Sequence, residues 1–468
     1  VELNMKKIYK NMPKDFLWGA STSAFQVEGG YGEGGKGIST TDVRNVPEGI
    51  ADSKIASDHY HHYEEDVKLM KELGINIYRF SFCWARIMPD GWNVNEEGLE
   101  FYDDLINRCI ENNIIPFPTL YHFEMPQKLV EEFGGWKSRK CIDAFEKYAK
   151  VCFERFKDRV KYWGTINEQL IVSAASDLNG NHESDQNQKM KNMYQMSYNM
   201  SVAEKKAIKA IREIIPEALV GPVCSMQVIY PRTSAPEDII AANDAEDMLQ
   251  NIFLDMSVKG KYPKRCENYL KLKNYYPETM EEDKELLEKY VPDFIGVNYY
   301  ASTCIRVREE GEDVSKLPPF FRNELFTLGN NEFLQKTRWM EFGIDPSGLY
   351  LGMRKMYERY NLPMMVTENG MAYSEELVDG KVHDEYRIEY LKAHIEQCQR
   401  LVEEGYPLLG YCPWSLLDLV SSHQGFSKRY GLIFVDRTDI DIKECRRIPK
   451  DSYYWYKNVI ANNGIYFE

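Results

Sequence analysis

A chain of 468 residues exceeds the roughly 150 residues of a typical domain, but α/β barrels run well past that as one unit, so one domain over residues 1–468 is the expectation. Hydrophobic residues at 43% and charged residues at 28% exclude a disordered or fibrous chain. A formal net charge of -15 repels both the phosphate backbone of nucleic acid and anionic membrane surfaces, so neither is expected as a partner.

Residues 1–4 precede Met5 and read as an appended remnant outside the fold. The next stretch, residues 5–13, carries lysines but no apolar segment behind them, and no run of about 18 apolar residues occurs anywhere. Ten cysteines lie scattered without a C-x-x-C pair, which argues for reduced thiols rather than a disulfide framework or a zinc site. The cytoplasm is the expected location.

The first β-branched and aromatic run is 15–21. Behind it, Gly32-Glu33-Gly34-Gly35-Lys36-Gly37 fits G-x-G-x-x-G. The segment does not join a strand directly to a helix, however, and Gly37 stands where a phosphate loop places Ser or Thr, so no nucleotide site is expected. His59, His61 and His62 lead into Glu64-Glu65-Asp66 and read as a solvated helix face rather than metal ligands. Further strand-like runs follow at 76–82, 114–121 and 160–167, and then a polar stretch at 176–191 reads as a long surface loop. The remaining runs are 218–225, 293–300, 363–369 and 408–416. Between the last two, Ile388, Leu391, Ile395, Cys398 and Val402 recur at helical spacing, and Gly405 stops that helix. Eight strands alternating with amphipathic segments predict an α/β fold, a (β/α)8 barrel.

Chemistry in such barrels sits at the carboxyl ends of the strands. Strand four ends Thr165-Ile166-Asn167-Glu168 and strand seven Thr367-Glu368-Asn369-Gly370, so closure brings two glutamates to one mouth. Cleaving an acetal needs a proton for the leaving oxygen and an anion for the oxocarbenium-like carbon, which paired carboxylates supply when their environments differ.

These ends, with Phe16-Leu17-Trp18-Gly19-Ala20-Ser21, Phe25-Gln26-Val27-Glu28-Gly29, Tyr78-Arg79-Phe80-Ser81, Tyr121-His122, Asn298-Tyr299-Tyr300 and Trp414-Ser415-Leu416-Leu417-Asp418, resemble glycoside hydrolase family 1 along nearly the whole chain. The resemblance implies a retaining β-glycosidase with Glu368 as nucleophile and Glu168 as general acid/base. Arg79 would pair with Glu368, and Tyr300 would hold the same carboxylate. Gln26, His122 and Asn167 would bind sugar hydroxyls, Asn298 belongs to the same substrate-binding set, and Trp414 would lie under the pyranose. No metal and no cofactor is implied.

The segment after strand eight concerns the sugar. Where unphosphorylated β-glucosidases of the family usually carry Asn-Phe-Glu-Trp after Trp-Ser-Leu-Leu-Asp, this chain aligns without a gap and places Ser421 at the Glu position and Ser422 at the Trp position. Ser421, Lys428 and Tyr430 resemble the phosphate-binding signature of the 6-phospho-β-glycosidases, and Ser422 joins them as a candidate. The substrate expected is a 6-phospho-β-glucoside or 6-phospho-β-galactoside, with a plain β-glucoside in an altered outer pocket as the alternative. Three departures from the family pattern are Phe123 in place of Trp, Gln169 where Pro is frequent, and Trp339-Met340-Glu341-Phe342 in place of a Trp-Gly-Trp segment.

Overall fold

The computed structural model describes residues 12–421 and 424–465. Eight parallel strands close into a barrel: β1 Leu17–Ser21, β2 Ile77–Ser81, β3 Ile115–Tyr121, β4 Tyr162–Asn167, β5 Leu219–Ser225, β6 Ile295–Tyr299, β7 Met364–Asn369 and β8 Leu408–Tyr411. Each strand pairs with its neighbours in sequence, and β8 closes on β1 through Leu17 opposite Gly410 and Trp18 opposite Tyr411. Every expected strand is present, trimmed by one or two residues at most ends. The last is shorter than expected because Pro413 has no N–H to extend the ladder. Beyond it the chain crosses the mouth irregularly, with Trp414 N–H donating to Asn369 O at 2.9 Å and Leu416 N–H to Ser21 O at 3.0 Å.

A helix follows each strand on the outside, among them His59–Leu73, Glu96–Glu111, Arg139–Phe156, Gln186–Ile214, Pro346–Tyr360 and Glu385–Glu403. The last is the helix anticipated from its apolar spacing. It buries Leu391, Ile395 and Cys398 and ends before Gly405, whose φ of 89° is the left-handed geometry that favours glycine. The stretch 176–191 departs from expectation. A short 3-10 turn occupies Ser176–Asn179, and at Asp185 the side chain accepts from Gln188 N–H and starts the 29-residue helix Gln186–Ile214. An aspartate N-cap was the signal, masked by the polar residues around it.

Two apolar layers hold the barrel. Outside, strand residues such as Tyr78, Phe80 and Val366 pack under the helices. Inside, Leu17, Ile77, Phe117, Phe294, Met365 and Cys412 plug the lumen at its amino-terminal end. Two residues further along β2, β3 and β7 the inward positions turn polar: Arg79 follows Ile77, Thr119 follows Phe117 and Thr367 follows Met365. The lumen is therefore apolar below and polar at the mouth.

The described cysteines are free thiols, nine buried and Cys224 half-buried. Lys36 of the glycine-rich segment is tied to Asp42 at 2.5 Å rather than presented to a phosphate. His59 corrects the reading of a solvated face: it is buried with its Nδ1 2.7 Å from Asp66, two turns on, while His61 lies exposed. Among the described residues no helix is long and apolar enough to cross a membrane.

Candidate active site

Glu168 and Glu368 reach the mouth through an irregularity in each of their strands. Between Gly164 and Asn167, β4 carries one residue more than β5 opposite, and between Val366 and Glu368, β7 carries one more than β6. An extra residue resets the inside–outside alternation and re-aims the side chains that follow. Glu168 itself has φ 47° and ψ 60°, a left-handed conformation uncommon for a residue with a side chain. Gly370, after Glu368, is required by contact, since a Cβ there would lie 1.9 Å from Trp414 O.

The two carboxyls sit in different surroundings. Glu368 Oε1 accepts from Arg79 Nη1 at 2.6 Å, and Oε2 from the Tyr300 hydroxyl at 2.5 Å. Arg79, fully buried, also donates to Asn167 Oδ1 at 2.7 Å and to Thr119 Oγ1 at 3.2 Å. Glu168 accepts from the neutral amide of Asn298 at 3.0 Å. Burial, then the negative charge of Glu368, raises the Glu168 pKa to about 8, against the opposing Asn298 bond and Arg79 charge. Glu168 is thus held to its proton at neutral pH.

Around them stand the other anticipated groups. His122 is buried, and desolvation with the nearby Arg79 charge pushes its pKa well below the usual range, so the ring is neutral. Asn167 Nδ2 donates to His122 Nε2 at 3.3 Å, which leaves the ring proton on Nδ1. That Nδ1 has no hydrogen-bond partner among the described residues. Gln26 is fixed by Ser23 Oγ donating to its Oε1 at 2.7 Å and by its own Nε2 donating to Val420 O at 3.0 Å. The Trp414 ring is parallel to His122 within 11° at 5.9 Å.

Gln26, His122, Glu168, Tyr300, Glu368 and Trp414 line one open cavity of about 500 Å³ together with Ser421, Lys428 and Tyr430. Arg79, Asn167 and Asn298 lie behind this lining and hold it. Lys428 and Tyr430 face the cavity because Arg429 between them turns the other way, donating to Asp418 Oδ2 at 2.7 Å, while Lys450 bonds Asp418 Oδ1 at 2.7 Å. Ser421 is set by reciprocal backbone bonds with Gly425, both 3.0 Å. Ser422 and residues 1–4 lie outside the described residues. Sequence reasoning missed Gln424, Ile171 and Ala301 in the lining, and it read Phe123 and Trp339-Met340-Glu341-Phe342 only as departures from a pattern. Lys428 Nζ stands 5.6 Å from the Trp339 ring centroid and 5.5 Å from that of Tyr430.

Paired carboxyls in unlike surroundings at the carboxyl-terminal mouth of a (β/α)8 barrel define a glycoside hydrolase. The chain belongs to glycosyl hydrolase family 1, whose model matches residues 8–465, and as a member it is a retaining β-glycosidase. It is 39% identical to the aryl-phospho-beta-D-glucosidase BglC of Bacillus subtilis over 97% of this chain and 98% of that protein. It is 38% identical to beta-glucosidase A of Acetivibrio thermocellus over 98% of this chain and all of that one. The family 1 β-glucosidase of Thermotoga maritima superposes with a TM-score of 0.88 at 34% identity, covering 98% of this chain and 100% of the other.

Proposed function

We propose that this chain hydrolyses 6-phospho-β-glucosides by double displacement, with Glu368 as nucleophile and Glu168 as acid/base, in the cytoplasm. Glu368 attacks the anomeric carbon as Glu168 protonates the departing aglycone oxygen; the C–O bond breaks and a glycosyl ester forms on Glu368. Glu168, now a carboxylate, takes a proton from water, which attacks the same carbon and releases Glu368. Arg79 and Tyr300 orient the nucleophile, and His122, Asn167 and Gln26 bind sugar hydroxyls.

The observation that carries the phosphate reading is Lys428. Among the described residues this half-buried ammonium has no carboxylate within ion-pair distance, and burial lowers its pKa, with Glu341 opposing at longer range. A desolvated, unpaired cation in a sugar pocket calls for an anion. Tyr430 and Ser421 add hydroxyls to the same cavity, and the carboxylate usual at the position of Ser421 is absent. Relatives named for phosphorylated glucosides support the reading, including the phospho-cellobiase of Klebsiella oxytoca.

A second cavity of about 280 Å³ shares Ile171, Tyr300, Ala301 and Phe342 with the first, and Leu170, Met226, Phe320 and Phe321 make it largely apolar. We read it as the aglycone side. An aromatic aglycone fits such a lining better than a second sugar, whose hydroxyls would go unpaired. Benzyl 6-phospho-β-glucoside is expected to exceed a glucosyl 6-phospho-β-glucoside in kcat/KM by about 10-fold, the leaving alcohols being similar in basicity. Equal rates would remove the aromatic preference.

The pH profile follows from Glu168. Its protonated form is the one that donates, and burial beside Glu368 keeps the proton on until higher pH. The rate therefore falls as pH rises through about 8. The basic limb of kcat/KM is expected there, and Glu168→Gln should abolish it; a limb that persists in that variant would assign it to another group.

A further inference from the structure

We propose that Gln169 is a positioning residue for the proton donor, fixing Glu168 from behind. The inference rests on the assignment of Glu168 as general acid. Glu168 follows β4 in the left-handed region, and its own carbonyl accepts from Ile171 N–H at 2.8 Å and Val172 N–H at 3.0 Å to start the helix Gln169–Ala174. That helix has only six residues. A helix so short holds little by itself, so something else must keep its first residue, and Glu168 before it, in place.

The Gln169 amide supplies that anchor. Its Nε2 lies 2.6 Å from Ser197 O, 3.0 Å from Ser197 Oγ and 3.1 Å from Ser201 Oγ, one turn apart on the helix Gln186–Ile214. Gln169, Ser197 and Ser201 are all buried, so these bonds do not compete with solvent. The long helix is itself fixed, Asn199 Nδ2 donating to Trp136 O at 2.8 Å and Lys205 to Tyr290 O at 2.7 Å. The side chain of Gln169 thus points into the barrel wall while that of Glu168 points into the sugar cavity. The two are consecutive, so a backbone rotation at residue 168 that swung the carboxyl away from the glycosidic oxygen would also break the amide's bonds. At this position the family frequently has proline, which stiffens the backbone by its ring; here a hydrogen-bonded side chain holds the same place.

Gln169→Leu keeps the volume and removes the donors. The test compares two substrates that the wild-type protein cleaves and that share one glycone, phosphorylated or not: a methyl glycoside, whose alkoxide cannot leave without a proton, and a 2,4-dinitrophenyl glycoside, whose phenolate can. A displaced acid should lower kcat/KM for the methyl glycoside by roughly 30-fold and for the dinitrophenyl glycoside by less than about 3-fold. It should also move the basic limb of the methyl glycoside profile to lower pH as water reaches Glu168. Ser197→Ala combined with Ser201→Ala, remote from the cavity, should give the same split at smaller size, which covers the case in which Gln169→Leu does not fold. Equal slowing of both substrates, no slowing, or an unmoved basic limb would overturn the proposal. Glu168→Gln on the same pair separates the two readings. If it shows the split and the Gln169 variant does not, only the positioning role falls; if it shows none, the assignment of the acid falls and this role with it.

Discussion

Glu368→Gln lowers kcat by at least about 10⁴-fold and leaves the barrel folded, because a neutral amide of the same shape cannot form the glycosyl ester. The loss should appear equally with activated and unactivated leaving groups, since the nucleophile is needed whatever departs. Shape is nearly conserved, but the partners are not indifferent: Arg79 Nη1, 2.6 Å from Oε1, and Tyr300 at 2.5 Å from Oε2 were arranged for an anion. An amide at 368 can still accept from Arg79 through its oxygen, but it leaves the fully buried guanidinium without a counter-charge, with only the neutral acceptors Asn167 Oδ1, Thr119 Oγ1 and Thr367 O around it, so some stability is lost along with the rate. Circular dichroism and thermal melting check the fold, and single-turnover kinetics check the chemistry. A variant that retains more than about a tenth of the wild-type rate would show that another group attacks the anomeric carbon.

Lys428→Ala is expected to lower kcat/KM for a 6-phospho-β-glucoside by about 10- to 150-fold, the equivalent of one charge-assisted hydrogen bond at about 1.5 to 3 kcal/mol. The plain glucoside should hardly respond. Lysine acts here as a point charge rather than a planar clamp, so its contribution is electrostatic and depends on desolvation. Its surroundings favour that role: the Trp339 and Tyr430 rings flank the ammonium, and the nearby Glu341 remains exposed to solvent. If both substrates lose the same factor, Lys428 supports the cavity as a whole and does not read the phosphate.

The barrel was legible because its strands are short β-branched runs separated by amphipathic helices, a pattern that needs no tertiary knowledge. Glu168 and Glu368 stood out as candidates because each closes such a run, and the fold brings both to one cavity. What the sequence concealed is three-dimensional. Register irregularities before both glutamates come from the count of residues opposite one another on paired strands, and no local pattern announces them. His59 looked solvated because Asp66, two turns along the same helix, read as one more surface charge, and the Arg447 that buries it meets it only in the fold. Trp339, Glu341 and Phe342 enter the sugar cavity from the segment between β6 and β7, whose antiparallel pair Gln335–Thr337 and Met340–Ile344 carries no chemical motif. Gln169 stood out in the sequence only as a departure from proline, and its anchoring bonds to Ser197 and Ser201 cross about 30 residues.

The most direct measurement is the comparison of kcat/KM for 4-nitrophenyl β-glucoside with and without a 6-phosphate, on the same protein at the same pH. Two or more charge-assisted contacts from Ser421, Lys428 and Tyr430 predict a preference for the phosphorylated substrate of at least about 100-fold. Equal efficiency toward both would contradict the account and leave a β-glucosidase with an altered outer pocket.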